Sequence, residues 1–180
     1  MTRVIKAGIL GGITVFIWSC ISWMVLPWHM TTLHNFKDEK SVAQQIQANS
    51  PSSGMYVLPQ MDNKGQLVNK DLMQGPMVFA AVRLGPVPTT MYLQMAIGVL
   101  TQIIAAFFVA WLLFRTQGLN YFSRVIFVVI VAFAAGIMTD VCYWNWFGFD
   151  MQYTLVEIAD LIVGWFFGGL IIAAFGRKNQ

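Results

Sequence analysis

The sequence predicts an all-α membrane protein, a four-helix transmembrane bundle with a small extracytoplasmic α/β cap inserted between spans 1 and 2. Composition is the first reason: the chain is 57% hydrophobic and only 11% charged, where soluble domains carry about a quarter charged residues. The second is that residues 8–28, 91–114, 124–143 and 154–175 are four apolar runs, each near the roughly 20 residues that cross a bilayer. The third is the placement of the basic residues, which repeats on alternate connections and so orients the spans. The chain divides into residues 1–28 as the first span, 29–90 as the extracytoplasmic insertion, and 91–180 as spans 2–4 with a cytoplasmic C-terminus.

Span 1 follows Arg3 and Lys6. This resembles a signal sequence, but no small-x-small cleavage site closes it, so it reads as a retained span. The run Trp18, Ser19, Cys20 is a poor lipoprotein site, because Trp18 fits badly and the apolar stretch continues through Leu26. Cys20 and Cys142 both fall within spans, where each reads as a small packing residue rather than half of a disulfide. Arg115 and Arg124 bracket the connection between spans 2 and 3, and Arg177 and Lys178 follow span 4. The positive-inside rule therefore places both termini in the cytoplasm of a bacterial-type inner membrane. Residues 144–153 have no basic residue and are rich in aromatics, which suits an outer interfacial belt.

The insertion has its own pattern. Asp38 can cap a helix through Asn49, with Val42, Ala43 and Ile46 on one face. Residues 55–59 read as a short strand. The sequence Asp62, Asn63, Lys64, Gly65 has turn chemistry, and residues 77–84 read as an apolar strand. Some 60 residues of this kind form a marginal domain alone, so the cap is expected to rest on the outer ends of the spans.

Small residues recur every four positions on the later spans. Span 2 carries Gln94, Gly98, Gln102, Ala106 and Ala110; span 3 carries Ala132, Gly136 and Asp140; span 4 carries Asp160, Gly164 and Gly168. Such stripes let helices approach closely where lipid removes the usual hydrophobic drive. Gly98, Gly136, Gly164 and Gly168 are thus the expected packing positions.

The main functional clue is a charge imbalance. No Lys, Arg or His lies between Arg124 and Arg177, yet Asp140, Asp150, Glu157 and Asp160 do. A carboxylate at membrane depth costs a few kcal/mol on insertion scales, so it faces a protein interior or a wet cavity and takes a partner. Antiparallel spans 3 and 4 bring Asp140 and Asp160 together in the outer half, with Glu157 on the same face and Gln94 near enough to join. Two readings follow. In one the acids are structural and pair with Arg83 or His29 from the insertion. In the other they share a cavity and take a proton or cation, as acids in transporters do.

Other chemistry has weaker support. His29 and His34 are the only histidines, and a metal site would need further ligands beside them. The 11 methionines include no Met-x-x-Met run of the sort that would hold cuprous copper, and they read as core filler. No Ser-His-Asp order, phosphate-binding loop or His-Glu-x-x-His pattern occurs, although Asp140 with Asp160 could form a hydrolytic pair. The basic residues are scattered and make no nucleic-acid surface. The expected function is a non-enzymatic inner-membrane accessory or scaffold protein without cofactor or metal. Its expected partners are the lipid bilayer and either copies of itself or a larger envelope complex. The alternative is a cation- or proton-linked transport component using Asp140, Glu157 and Asp160.

Overall fold

A computed structural model describes residues 1–176. Four helices in it are long and apolar enough to cross a membrane. In chain order the elements are α1 (Thr2–Met24), α2 (Glu39–Asn49), β1 (Gly54–Leu58), β2 (Val78–Val82), α3 (Tyr92–Leu113), α4 (Tyr121–Gly136), α5 (Cys142–Phe147) and α6 (Met151–Ala174). A π-helical turn, Ile137–Val141, joins α4 to α5 without a break, so Tyr121–Phe147 is one long helix. Met1, the α3–α4 connection and Gly176 share one end of the molecule, called here the terminal end. The β-hairpin lies beyond the opposite end.

The four long helices form a row rather than a closed ring. Helix α1 packs against α3 on one side and α6 on the other, and α6 packs against α4, while α3 and α4 touch only slightly. Close approach explains the pairing. A Cβ on Gly8 would meet the Phe107 backbone at 2.8 Å, and one on Gly12 would collide with the backbone of Ile103, which seats α1 on α3. Gly11 faces Ile172, and Gly168 faces Val15, which seats α1 on α6. Gly169 faces Val128 across the α4–α6 contact. The buried core, including Ala7, Val15, Ala106, Ala110, Leu113, Val128, Ala132 and Ile172, fills the terminal half.

The first helix departs from the expected residues 8–28. It begins at Thr2 and ends at Met24. Arg3 and Lys6 are tolerated in its first turns because their long stems carry the charge outward. Pro27 has no N–H to continue the ladder, and it disfavours helical backbone in the residue before it. The last amides, on Val25 and Leu26, both bond to the Ile21 carbonyl.

The insertion folds largely as its local signals dictate. Asp38 caps α2, its side chain accepting from the Ser41 amide. Asp62 accepts from the amides of Lys64 and Gln66 and so closes the expected turn. Strands β1 and β2 pair antiparallel, with Gly54 opposite Val82 and Leu58 opposite Val78. The sheet has two strands, at the two places where the sequence reads as extended. Helix α2 buries none of its residues. The hairpin, by contrast, is anchored: Phe79 of β2 stacks on Phe147 with ring centroids 4.1 Å apart. Gly148, at φ +68°, turns the chain from α5 toward α6 in a conformation that favours glycine, and Met77 packs against it.

Candidate functional site

The break in α1 builds the site. After Leu26 the chain turns tightly, with the Thr31 amide bonding the Pro27 carbonyl and the Thr32 amide bonding the His29 carbonyl. The Thr31 and Thr32 hydroxyls donate to the Trp28 and His29 carbonyls and lock this turn. The turn swings His29 back against the last part of α1, where its side chain is wholly buried. Its ring lies flat on Trp23, centroids 3.9 Å apart and planes 11° apart, and Trp28 meets it edge-on.

Every polar atom of this ring has a neighbour. Nδ1 lies 3.2 Å from Glu157 Oε1, and Nε2 lies 2.9 Å from Ser22 Oγ and 3.5 Å from Asp160 Oδ2. Trp28 donates its indole N–H to Ser22 Oγ at 2.8 Å, and Trp18 donates to Asp160 Oδ1 at 2.6 Å. With Nδ1–H donating to Glu157, the Ser22 hydroxyl can donate to Nε2 while accepting from Trp28. No buried side-chain nitrogen or oxygen among the described residues lacks a hydrogen-bond partner.

Helix α6 supplies Glu157 and Asp160 one turn apart, so both project from the face that meets α1. Asp140 comes from the π turn. Such turns are rare and often occur at functional sites, because the extra residue re-aims the side chains around it. Here the Asp140 carboxylate lies over Gly136, where an added Cβ would sit 3.6 Å from its Oδ2. Thr139 donates to it at 3.3 Å and bonds the Ala135 carbonyl more closely, at 2.9 Å. Asp140 and Asp160 both lie within electrostatic range of Glu157.

A cavity of about 320 Å³ opens beside these groups. Its lining joins the three acids to Ser19, Gln102, Thr139 and the indoles of Trp18, Trp23 and Trp165. It runs along α1 from the level of Trp23 to that of Val15, or about 12 Å at 1.5 Å per residue. Beyond Val15 and Gly164 lie the glycine contacts and packed residues of the terminal half.

Asp140, Glu157, Asp160 and His29 are therefore brought together. Arg83 is not with them: it is exposed, past the end of β2, and it is His29 that pairs with Glu157 and Asp160. The hairpin's own geometry holds Arg83 there, because the Leu84 amide bonds back to Ser53 Oγ. Gln94 also stands apart, exposed near the start of α3 and absent from the cavity wall. Gln102, two turns further along the same stripe, takes the place expected of it. At the packing positions, a Cβ on Gly164 would meet Trp18 at 2.8 Å, one on Gly168 would meet Val15 at 2.5 Å, one on Gly136 would meet Leu161 at 3.3 Å, and one on Gly98 would meet Phe16 at 3.2 Å. Arg177 and Lys178 lie outside the described residues. Sequence reasoning missed the stacking of Trp23 on His29 and the cavity role of Thr139. The dense run of Trp, Pro and His at the end of span 1 was the available signal for the first. No family model, curated protein or solved structure matches this chain.

Proposed function

We propose that the chain is a multi-pass protein of a bacterial-type inner membrane, acting without catalysis as an accessory or scaffold subunit. It works in an oligomer of itself or in a larger envelope complex. The four apolar helices support the membrane setting, and the basic residues at the terminal end support a cytoplasmic location for both termini. On that topology residues 29–90 are extracytoplasmic.

One observation carries the scaffold reading: His29, from the insertion, is wholly buried between Glu157 and Asp160 of α6. An acid cluster closed by imidazole, indole and hydroxyl donors fastens the insertion and α1 to α6 in a fixed geometry. The acids then serve to hold a shape that a partner can recognise.

The cavity favours a second reading, a cation- or proton-linked transport component. The packed core of the terminal half, at and beyond the level of Val15, weighs against a route across the bundle. Purification in mild detergent followed by native mass spectrometry tests the choice. The scaffold reading expects a stoichiometric assembly with itself or with another envelope protein. A lone monomer whose reconstituted vesicles show ion flux abolished by Asp160→Asn would replace it with the transport reading.

A further inference from the structure

The cavity is larger than the acid–histidine contact needs, and its chemistry is selective. At about 320 Å³ it stands at the lower end of the range for small-molecule pockets, roughly 300–1,000 Å³. Its wall combines three carboxylates, of Asp140, Glu157 and Asp160, with three indoles, of Trp18, Trp23 and Trp165, and contains no Lys or Arg. Among the described residues His29 is the basic side chain that reaches the acids, and of the three it pairs with Glu157 and Asp160 and not with Asp140. Asp140 has Thr139 as its one hydrogen-bond partner among the described residues, and that hydroxyl is shared with a backbone carbonyl. An acid placed this way on a cavity wall is open to a cationic guest.

The shape decides what kind of cation. Among the described residues no group of three or more His, Cys, Asp or Glu converges as a metal ion requires. The acids are instead distributed along the cavity wall. Indole faces attract cations through the ring quadrupole, Trp most strongly, and they suit soft alkylated cations that shed water cheaply. A compact inorganic ion keeps its hydration shell and gains little from them.

We propose that this cavity binds a small organic ammonium ion. Asp140 meets the charge, Glu157 and Asp160 add to the field, and the indoles cover the alkyl groups. Gln102, also in the wall, adds a side-chain amide that can hydrogen-bond a guest carrying an N–H or hydroxyl. The inference goes beyond the accessory reading and does not depend on it, since a scaffold with this cavity would respond to the ligand and a lone monomer could still bind it.

The test uses the full chain in a non-ionic detergent, titrated with tetramethylammonium chloride against sodium chloride at constant ionic strength. Tryptophan fluorescence and thermal stability are the two readouts. Expected are a saturable fluorescence change and a rise in Tm with tetramethylammonium, at concentrations at least tenfold below any effect of sodium. Asp140→Asn should keep the Tm of the unliganded protein and weaken binding about tenfold; Asp140→Ser, smaller and also uncharged, serves if the amide does not fold. The absence of a saturable response, an equal response to sodium, or undiminished affinity in a folded Asp140 variant would each overturn the proposal.

Discussion

The His29 imidazole Nδ1 lies 3.2 Å from the Glu157 carboxylate, joining residues 128 positions apart. This contact ties the turn after α1 to the second turn of α6. With Asp160 reaching the other ring nitrogen, it makes the histidine a clamp between two helices. The side chains of Glu157 and Asp160 remain 21% and 12% exposed while that of His29 is fully covered, so the buried partner is the one whose removal matters most.

His29→Leu should therefore destabilise the protein by about 2–4 kcal/mol, somewhat below the full cost of breaking a buried pair because the acids keep some access to water. Thermal or detergent-induced unfolding would measure it. Stability equal to that of the unmodified protein would show that the clamp holds nothing.

Asp160→Asn and Asp160→Leu should behave differently. The amide oxygen can still accept from Trp18, whose N–H now lies 2.6 Å from the carboxylate, so the loss should stay near 1 kcal/mol. Leucine leaves the Trp18 donor without its acceptor and removes the carboxylate beside His29, which keeps Ser22, and the loss should reach about 2–4 kcal/mol. Equal stability of the two variants would contradict this account of the hydrogen bonds. Under the scaffold reading, cells carrying Asp160→Asn retain most function; a stable but inactive Asp160→Asn protein would favour transport.

Helix packing gives a graded series. Gly12→Ala should be more damaging than Gly98→Ala, because the first methyl collides with the Ile103 backbone and the second meets only the movable edge of the Phe16 ring. Gly164→Leu and Gly168→Leu should lower the Tm far more than Leu170→Ala, since each would drive α6 off α1 at Trp18 or Val15. Comparable melting of all these variants in detergent would remove close approach as the basis of the fold.

Phe79→Ala should release the hairpin without unfolding the helices. The Phe79–Phe147 stack, at 4.1 Å, is the closest ring contact between hairpin and helices, and stacked pairs contribute about 0.5–1.5 kcal/mol beyond burial. Faster proteolysis within residues 59–77 at an almost unchanged Tm is the expected result. Unchanged proteolysis would mean that other contacts hold the hairpin.

Labelling can test the orientation. Asn63→Cys, in the exposed turn closed by Asp62, should react with a membrane-impermeant thiol reagent in intact spheroplasts. Cys20 and Cys142 are free thiols, the second of them exposed, and should first be replaced by alanine. Protection of the introduced thiol until lysis would invert the proposed topology.

The local elements were legible because their signals are local. A run of apolar residues marks a long helix wherever it packs, and Asp38, the Asp62–Gly65 turn chemistry and Pro27 act within a few residues of themselves. Of the small-residue positions, Gly164 and Gly168 lie close against α1, whereas Gly98 and Gly136 face only side chains and the tightest approach to α3 is at Gly8 and Gly12. The site was legible in part. Charge imbalance picked out Asp140, Glu157 and Asp160, because a buried acid is costly whatever its partner. The choice of partner was not readable: Arg83 is the stronger cation by chemistry, but the Ser53–Leu84 hydrogen bond keeps its strand end away, while the turn after Leu26 folds His29 inward.

The sequence by itself thus determined four long apolar helices, a capped helix and hairpin between the first two, and an acid cluster needing a partner. Tertiary structure alone decided that the helices form a row with α1 and α6 at its centre, that Gln102 rather than Gln94 reaches the cavity, and that a π turn aims Asp140 at it. The physical reason is range: hydrophobicity and capping act along the chain over a few residues, whereas the row, the clamp and the cavity depend on which glycine backbones meet across helices far apart in sequence.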